Sequence, residues 1–173
     1  MPVTPFHFGL GAISGGYGKK VFSFRAFCFS NVIIDLEALY RIPLGLYPYH
    51  HWLHTYLVGV IVCLALIVPV GIPFCLWVSR WWNRNRKGSV VERIYIPETM
   101  PLTGAFVGAT LGALTHVFCD SIMHGDIQPL LPFDDGNDMH GWITTSQLHG
   151  ILIGGFAIGS VLYCVRHRLW RKA

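Results

Sequence analysis

The sequence contains few charged residues for a chain of its length. They make up 13% of the 173 residues, about half the share that is typical of a soluble domain. Hydrophobic residues make up 53%, and residues 56–78, YLVGVIVCLALIVPVGIPFCLWV, contain no charge at all. A run of that length can cross a bilayer as a helix. The shortage of charge therefore argues against an ordinary soluble domain and indicates an integral membrane protein.

The sequence also lacks the motifs of several well-known active sites. It has no glycine-rich phosphate-binding loop, no GxSxG nucleophile elbow and no HExxH zinc motif. The five cysteines form no CxxC pair and lie in apolar segments, as small buried hydrophobic side chains do. The start of the chain lacks the basic segment of a cleavable signal, so we expect none. These absences leave histidines and carboxylates as the candidates for chemistry.

Four segments could form membrane helices. Besides 56–78, they are 102–123, 148–165 and 21–42, the last being either a span or a half-buried helix. The chain has no strong internal repeat and no low-complexity tail, so we see no sign of a second domain. We therefore predict a single all-α domain over residues 1–173, an integral membrane bundle of about four to five helices.

Basic residues gather in three clusters, at 19–25, 80–93 and 166–172. The positive-inside rule places these clusters, and with them the C-terminus, on the cytoplasmic side of the membrane. Because each cluster flanks an apolar segment, membrane topology or contact with lipid explains it better than nucleic-acid binding, which we do not expect. With this orientation, eight of the nine histidines fall on the outer side.

Small and polar residues recur every fourth position along segment 102–123. The series is Gly104, Gly108, Gly112, His116, Asp120 and His124. On an α-helix these positions form one stripe, and its glycines let a neighbouring helix approach closely. The polar residues then face the bundle interior, so we predict metal ligands at His116, Asp120 and His124 and also a catalytic role for Asp120. The alternative, a helix end that reaches interfacial water, explains His124 better than His116.

The segment YHHWLHT, residues 49–55, contains three histidines. His50 and His54 are four residues apart, so on a helix both imidazoles could reach one cation. His51 lies off that face, and we interpret it as a substrate-binding or ligand-orienting residue. The alternative is a belt of aromatic residues at the membrane interface, which suits the neighbouring Tyr and Trp better than three histidines.

Asp35 lies among apolar residues in FSNVIIDLEALY, residues 29–40. A buried carboxylate needs a cation or hydrogen-bond donors, and a metal ion or Arg41 could supply them; we favour the metal. Glu37 points elsewhere and is either a general base or an exposed interfacial carboxylate. We predict a catalytic role for it.

Two further histidines stand alone in the sequence. His7 lies between two phenylalanines, and by itself such a residue is more often structural. His149, at the start of the last apolar segment, is either structural or substrate-binding, and we predict the latter.

The candidate ligands outnumber the four of one closed zinc site. A mixture of His and carboxylate without Cys suits zinc, manganese or iron. We therefore predict two or more divalent ions, with zinc favoured and manganese or iron as alternatives. Such clusters activate water and stabilise the oxygens of a phosphoryl group.

In their joint order these motifs resemble the YdjM-like inner-membrane metal-dependent hydrolases, a group placed with the zinc-dependent phospholipase C and single-strand nuclease superfamily. That family has an early His, an Asp-x-Asp, a segment of the type H-R-x-x-T-H-S, and an H-x-x-x-D helix followed by a turn with Gly and Pro. The matching positions are His7, Asp35, residues 50–55, His116 with Asp120, and residues 124–133. Here Asp35-Leu36-Glu37 replaces Asp-x-Asp, Leu53-His54-Thr55 replaces Thr-His-Ser, and the Arg is absent. The resemblance implies metal roles for His7 and Asp35 and hydrolysis of a phosphoester or phospholipid.

The sequence thus predicts an integral membrane metal-dependent hydrolase, phospholipase C-like, with its site at the outer ends of the helices. Its partners would be the lipid bilayer and a lipid or phosphoester substrate. A metal-ion transporter or sensor is the alternative, since it would also carry His and Asp inside a bundle. The nearly apolar inner halves of 56–78 and 148–165 disfavour transport.

Overall fold

The computed structural model describes residues 6–13, 21–86 and 94–170, without the side chains at 164 and 166–170. Within these ranges the chain is helical and contains no strand, which confirms the predicted all-α class. Part of each predicted basic cluster lies outside the described residues, namely Lys19, Lys20, Lys87, Arg93, Arg171 and Lys172.

Six α-helical segments form the bundle. They are α1 (Phe8–Ile13), α2 (Phe24–Arg41), α3 (Tyr56–Leu66), α4 (Ile72–Asn85), α5 (Leu102–Met123) and α6 (Thr145–Trp170). A π-helical turn, Ile67–Gly71, joins α3 and α4, so the described chain makes five helical bodies, as predicted. The turn contains Pro69, and Pro73 lies in the first turn of α4, where the absent N–H of proline is tolerated.

Three of these helical bodies are long and apolar enough to cross a membrane. They are Tyr56–Asn85, Leu102–Met123 and Thr145–Tyr163. Much of their apolar surface faces outward: Ile61, Phe74 and Ile153 are each at least half exposed. Such surface suits lipid rather than water. α2, the least apolar of the four predicted segments, is not among the three.

α2 and α5 run parallel and in close contact. The backbone N–H of Ser23, just before α2, donates to the carbonyl of Gly104 over 2.9 Å. A Cβ at Gly108 would collide with the carbonyl oxygen of Ser23, and one at Gly112 would lie 2.5 Å from the carbonyl oxygen of Phe27. The predicted close approach along the glycine stripe is therefore confirmed. One turn further along, the same register brings α2 against His116.

α1 packs on α6 in a similar way. A Cβ at Gly155 would lie 2.6 Å from the carbonyl oxygen of Gly9, and one at Gly9 would collide with that of Leu152. Leu152 also belongs to a buried cluster with Cys119 of α5, against which Phe6 packs. This packing brings the start of α1 and of α6 to the end of α5, and so brings His7 to Asp120.

Polar residues gather at the two ends of the bundle and are separated by apolar core. At one end, which we call the arginine end, Arg25 of α2 reaches α4 and the segment 96–99. At the other, the histidine end, the end of α5 meets α2, residues 50–54 and His7. Two buried clusters fill the space between them: Ala26, Phe29, Ile67, Cys75, Ala105 and Ala109, and then Ile34, Cys63, Ala113 and Val117.

Candidate metal centre

The histidine end is assembled from separate parts of the chain. α5 contributes His116 and Asp120, which are buried one turn apart on its inner face. α2 contributes Asp35, which its parallel packing places 3.4 Å from His116 Nε2. His54 comes from the 3₁₀ turn Trp52–His54, which ends where the hydroxyl of Thr55 accepts from Val58 N–H and caps α3. Because Thr55 is the N-cap of α3, His54 lies immediately before the start of that helix.

Asp35, His54, His116 and Asp120 form a group whose ligand atoms all lie within 4.8 Å of one another. The Asp120 Oδ2 oxygen lies 3.3 Å from His116 Nε2 and 3.7 Å from His54 Nε2. His54 and His116 are fully buried and Asp120 nearly so. The structure thus brings together four of the predicted metal ligands in a group that could hold a metal ion.

The spacing within this group suits coordination better than hydrogen bonding. The distances of 3.3, 3.4 and 3.7 Å exceed the usual range of about 2.7–3.2 Å for a hydrogen bond from N–H to O. Ligands at about 2.0–2.2 Å from one tetrahedral ion would be about 3.3–3.6 Å apart. Within the described part of the chain, the Nε2 atoms of His54 and His116 are buried and make no hydrogen bond. Because buried polar atoms are rarely left unpaired, an ion could serve as their partner.

A second group of three possible ligands contains His50, Asp120 and His124. The His50 and His124 rings are stacked, with their centroids 4.4 Å apart. Asp120 belongs to both groups, so its carboxylate could bridge two ions. His124 follows the last residue of α5 and is partly exposed, as Asp35 is in the first group.

The predicted pairing of His50 and His54 on one helical turn does not occur. His51 precedes a 3₁₀ turn and has a non-helical backbone, so His50 lies outside the helix on which that prediction rested. The two rings lie edge to face, 4.6 Å apart, and each belongs to a different group. The short helical element leaves several backbone N–H groups of this segment free to bond with side chains.

His7 lies next to the other carboxylate oxygen of Asp120, Oδ1. Its Nε2 lies 3.1 Å from Asp120 Oδ1, and its ring is 4.4 Å from that of His116. His7 is buried, and within the described residues neither its Nδ1 nor Asp120 Oδ1 makes a hydrogen bond. His7 belongs to neither the group of four nor the group of three. It nevertheless contacts the Asp120 carboxylate, which both groups share.

Glu37 and Asp126 each contact a histidine of the centre. Glu37 Oε2 lies 3.1 Å from His54 Nδ1, and Asp126 Oδ1 lies 3.0 Å from His50 Nδ1. The catalytic role predicted for Glu37 stays a prediction. Asp126 was missed as a functional residue, and only its position two residues after His124 hinted that it belongs to the same end.

His51 and His149 lie beside the two groups and belong to neither. The His51 ring packs edge to face on Trp52, and the His149 ring lies 4.9 Å from that of Phe6. Each has a buried ring nitrogen without a hydrogen bond among the described residues. Their predicted contact with substrate stays a prediction.

Burial and hydrogen bonding shift the pKa values of three groups in the loops at this end. Burial lowers the pKa of His54 and of His124, so both imidazoles are neutral at pH 7 and able to bind a metal. Burial alone would raise the pKa of Asp126, but hydrogen bonds from the His50 ring and from backbone N–H groups outweigh it and lower the pKa. Asp126 is therefore an anion that accepts hydrogen bonds.

Comparison of the chain with protein-family models, with curated proteins and with solved structures gave no match. The resemblance to the YdjM-like hydrolases therefore stays a prediction from the motifs.

Proposed function

We propose that this protein is an integral membrane metal-dependent hydrolase that acts on a phosphoester, and that its substrate is phospholipid-like. One observation carries the metal part of the proposal: buried His and Asp atoms with unmet bonding capacity lie at coordination spacing around Asp120. Two or more divalent ions, with zinc favoured over manganese and iron, suit this mixture of ligands.

The residues of the two groups have distinct tasks in such a reaction. Asp35, His54, His116 and Asp120 would hold one ion, and His50, Asp120 and His124 a second, with His7 against the shared carboxylate. Bound divalent ions lower the pKa of water and neutralise charge that develops on phosphoryl oxygens. Substrate would approach past the partly exposed His124, and His51 and His149 would contact it.

The surroundings of the centre favour a substrate at the level of the lipid headgroups. Large aromatic side chains project from the loops of the histidine end, among them Tyr47, Phe133 and Trp142, which are 72%, 84% and 62% exposed. Exposed aromatic residues gather at membrane interfaces. We infer that the site lies at the outer face of an inner membrane, in agreement with the basic segments on the opposite side.

A groove beside the centre supports a substrate with acyl chains. It has a volume of about 410 Å³ and is lined by Tyr56, Leu57, Leu114, Pro129 and Phe133, among other mostly apolar residues of α3, α5 and the loop 129–133. Tyr56 follows His54 by two residues, and its N–H donates to the carbonyl of Pro129. An acyl chain in this groove would place its headgroup beside the histidine end.

Transport of the metal ion is the second candidate, but the packing disfavours it. A transported ion needs a polar path through the bundle. Below the histidine end the buried residues are instead apolar, beginning with Ile34, Ala113 and Val117. A catalytic site that is reached from one side only agrees better with this arrangement.

Metal content followed by a substrate panel tests the proposal. The detergent-purified protein, after controlled loading with Zn²⁺ or Mn²⁺, should contain about two ions per chain and should hydrolyse an aryl phosphodiester or a phospholipid in mixed micelles. Asp135→Asn, on an exposed loop residue, is the matched control for Asp120→Asn. Less than one ion per chain, or full activity in Asp120→Asn, would contradict the proposal. Uptake of Zn²⁺ into proteoliposomes without hydrolysis would favour the transporter.

A further inference from the structure

Three buried histidines of the centre share one bonding pattern. In each, Nδ1 lies beside an oxygen acceptor from another part of the chain: Glu37 Oε2 for His54 at 3.1 Å, Asp126 Oδ1 for His50 at 3.0 Å and Asn31 Oδ1 for His116 at 3.2 Å. Nε2 is then the nitrogen that each ring can offer to an ion.

The two carboxylates hold the segment 49–54 in the same manner. Asp126 Oδ2 accepts from the backbone N–H groups of Tyr49 and His50, at 2.9 and 3.2 Å. Glu37 Oε2 accepts from those of His51 and Leu53, both at 3.0 Å. Each carboxylate therefore fixes a histidine ring together with the backbone around it. Since an ionised carboxylate only accepts hydrogen bonds, Nδ1 must carry the proton.

Asn31 also fixes the proton of His116 on Nδ1, but through an amide oxygen instead of a carboxylate. The Asn31 amide nitrogen donates to the carbonyl of Phe27, one turn earlier, over 2.8 Å. This bond settles which way the amide faces, and it turns Oδ1 toward His116 Nδ1. Again Nδ1 is the donor. Asn31 is fully buried, so water does not compete for this contact.

We propose that Glu37, Asp126 and Asn31 are positioning residues, which fix the proton on Nδ1 of His54, His50 and His116 and aim the Nε2 lone pairs into the centre before an ion binds. This inference rests on the proposed metal-dependent function. A metal-binding histidine usually donates its second N–H to such a partner, which orients the ring and raises its basicity. In this role Glu37 acts on the centre through His54.

The protonation site can be read directly in the metal-free protein. The full chain, labelled with ¹⁵N-histidine and held in detergent with a chelator, should show His50 and His54 with the proton on Nδ1 in two-bond ¹⁵N–¹H spectra. Single His→Ala variants assign the signals. In Glu37→Ala, His54 should lose its preference for the Nδ1 proton, whereas Glu37→Gln should keep it because the amide oxygen still accepts. Asp126→Ala and Asp126→Asn should behave likewise at His50.

Metal affinity gives the second readout. Glu37→Ala should weaken the ion held by His54, and Asp126→Ala the ion held by His50, each by about 10–100-fold and without equal weakening of the other ion. Glu37→Gln and Asp126→Asn should recover part of the loss. Asp135→Ala removes an exposed acid from the same end and should change neither the spectra nor the affinity.

The outcomes separate this inference from the proposed function. Nε2-protonated His50 and His54 in the wild type, or alanine variants with unchanged spectra, would overturn the positioning role. If the alanine variants do not fold, the wild-type spectrum and the spectra of Glu37→Gln and Asp126→Asn still test the positioning role. A wild type with Nδ1-protonated histidines that binds no ion supports the orientation by these residues and overturns the metal-dependent hydrolase.

Discussion

The two ends of the bundle both contain buried or half-buried polar side chains, yet they are satisfied to different degrees. At the arginine end, the Arg25 guanidinium donates to Ser79 Oγ at 2.6 Å and to the carbonyl oxygens of Pro97 and Thr99 at 2.8 and 2.6 Å. Asn83 exchanges hydrogen bonds with the backbone of Ile96 in both directions, at 2.8 and 3.1 Å. Arg25 and Asn83 are therefore satisfied by hydrogen bonds within the chain.

The polar side chains of the histidine end are more deeply buried, and several of their atoms make no hydrogen bond among the described residues. Among the described residues, His54 Nε2, His116 Nε2 and Asp120 Oδ1 are buried without a hydrogen bond, although each has an oppositely polar neighbour within 3.7 Å. An unmet buried polar atom costs about 1–3 kcal/mol, so an ion that binds these atoms would stabilise the fold. The comparison teaches that unmet bonding capacity, more than polarity, distinguishes a candidate site from a structural polar cluster.

Asp120→Asn should have the largest effect, because Asp120 belongs to both groups of the histidine end. The substitution keeps the shape of the side chain and removes its charge, and we expect metal affinity to fall more than 100-fold with little bound ion left. Metal content per folded chain measures this. If the variant retained two ions per chain, the unmet atoms at the histidine end would not mark a metal site that depends on Asp120.

Gly112→Ala tests whether the histidine end depends on the spacing of α2 and α5. Its new Cβ would lie 2.5 Å from the carbonyl oxygen of Phe27, so α2 must move. We expect a loss of about 2–3 kcal/mol of stability together with weaker metal binding, measured by thermal unfolding and metal titration. Gly150→Ala in α6 is the matched control, since its Cβ meets nothing within 4 Å. Equal effects of the two variants would contradict the close packing.

Arg25→Met should affect the arginine end alone. It keeps an unbranched apolar stem but leaves Ser79 and the carbonyls of Pro97 and Thr99 without their donor. Because this end is partly exposed and water can replace some of the bonds, we expect a loss of about 1–2 kcal/mol in the free energy of unfolding. Metal content per folded chain should stay at the wild-type value, and a clear drop would show that the two ends are coupled.

His51→Ala and His149→Ala should have the smallest effect on metal content. Neither residue belongs to a group of possible ligands, so both variants should bind the wild-type number of ions. If they contact substrate as predicted, KM should rise while metal affinity is unchanged. Loss of an ion in either variant would extend the site beyond the two groups.

Several features of the fold and the site were predictable because they depend on local spacing and composition. The charge-free run 56–78 indicated a span, and the structure has a helix of 30 residues there. The four-residue repeat from Gly104 to Asp120 placed glycines and candidate ligands on one face of α5, and the neighbouring helix that both meet is α2. Lone His7 had no local signal, and the fold places its ring beside Asp120.

The apolar helices, the inward stripe of α5 and the gathering of histidines at one end were predictable, since helical periodicity and charge are visible within a single segment. Which side chains meet depends on the tertiary fold. Asn31 and His116 are 85 residues apart in the chain, and His50 and Asp126 are 76. Their contacts depend on the relative placement of whole helices and loops, which no spacing within one segment encodes. For the same reason, Asp126 lacked a role until the fold placed it beside His50.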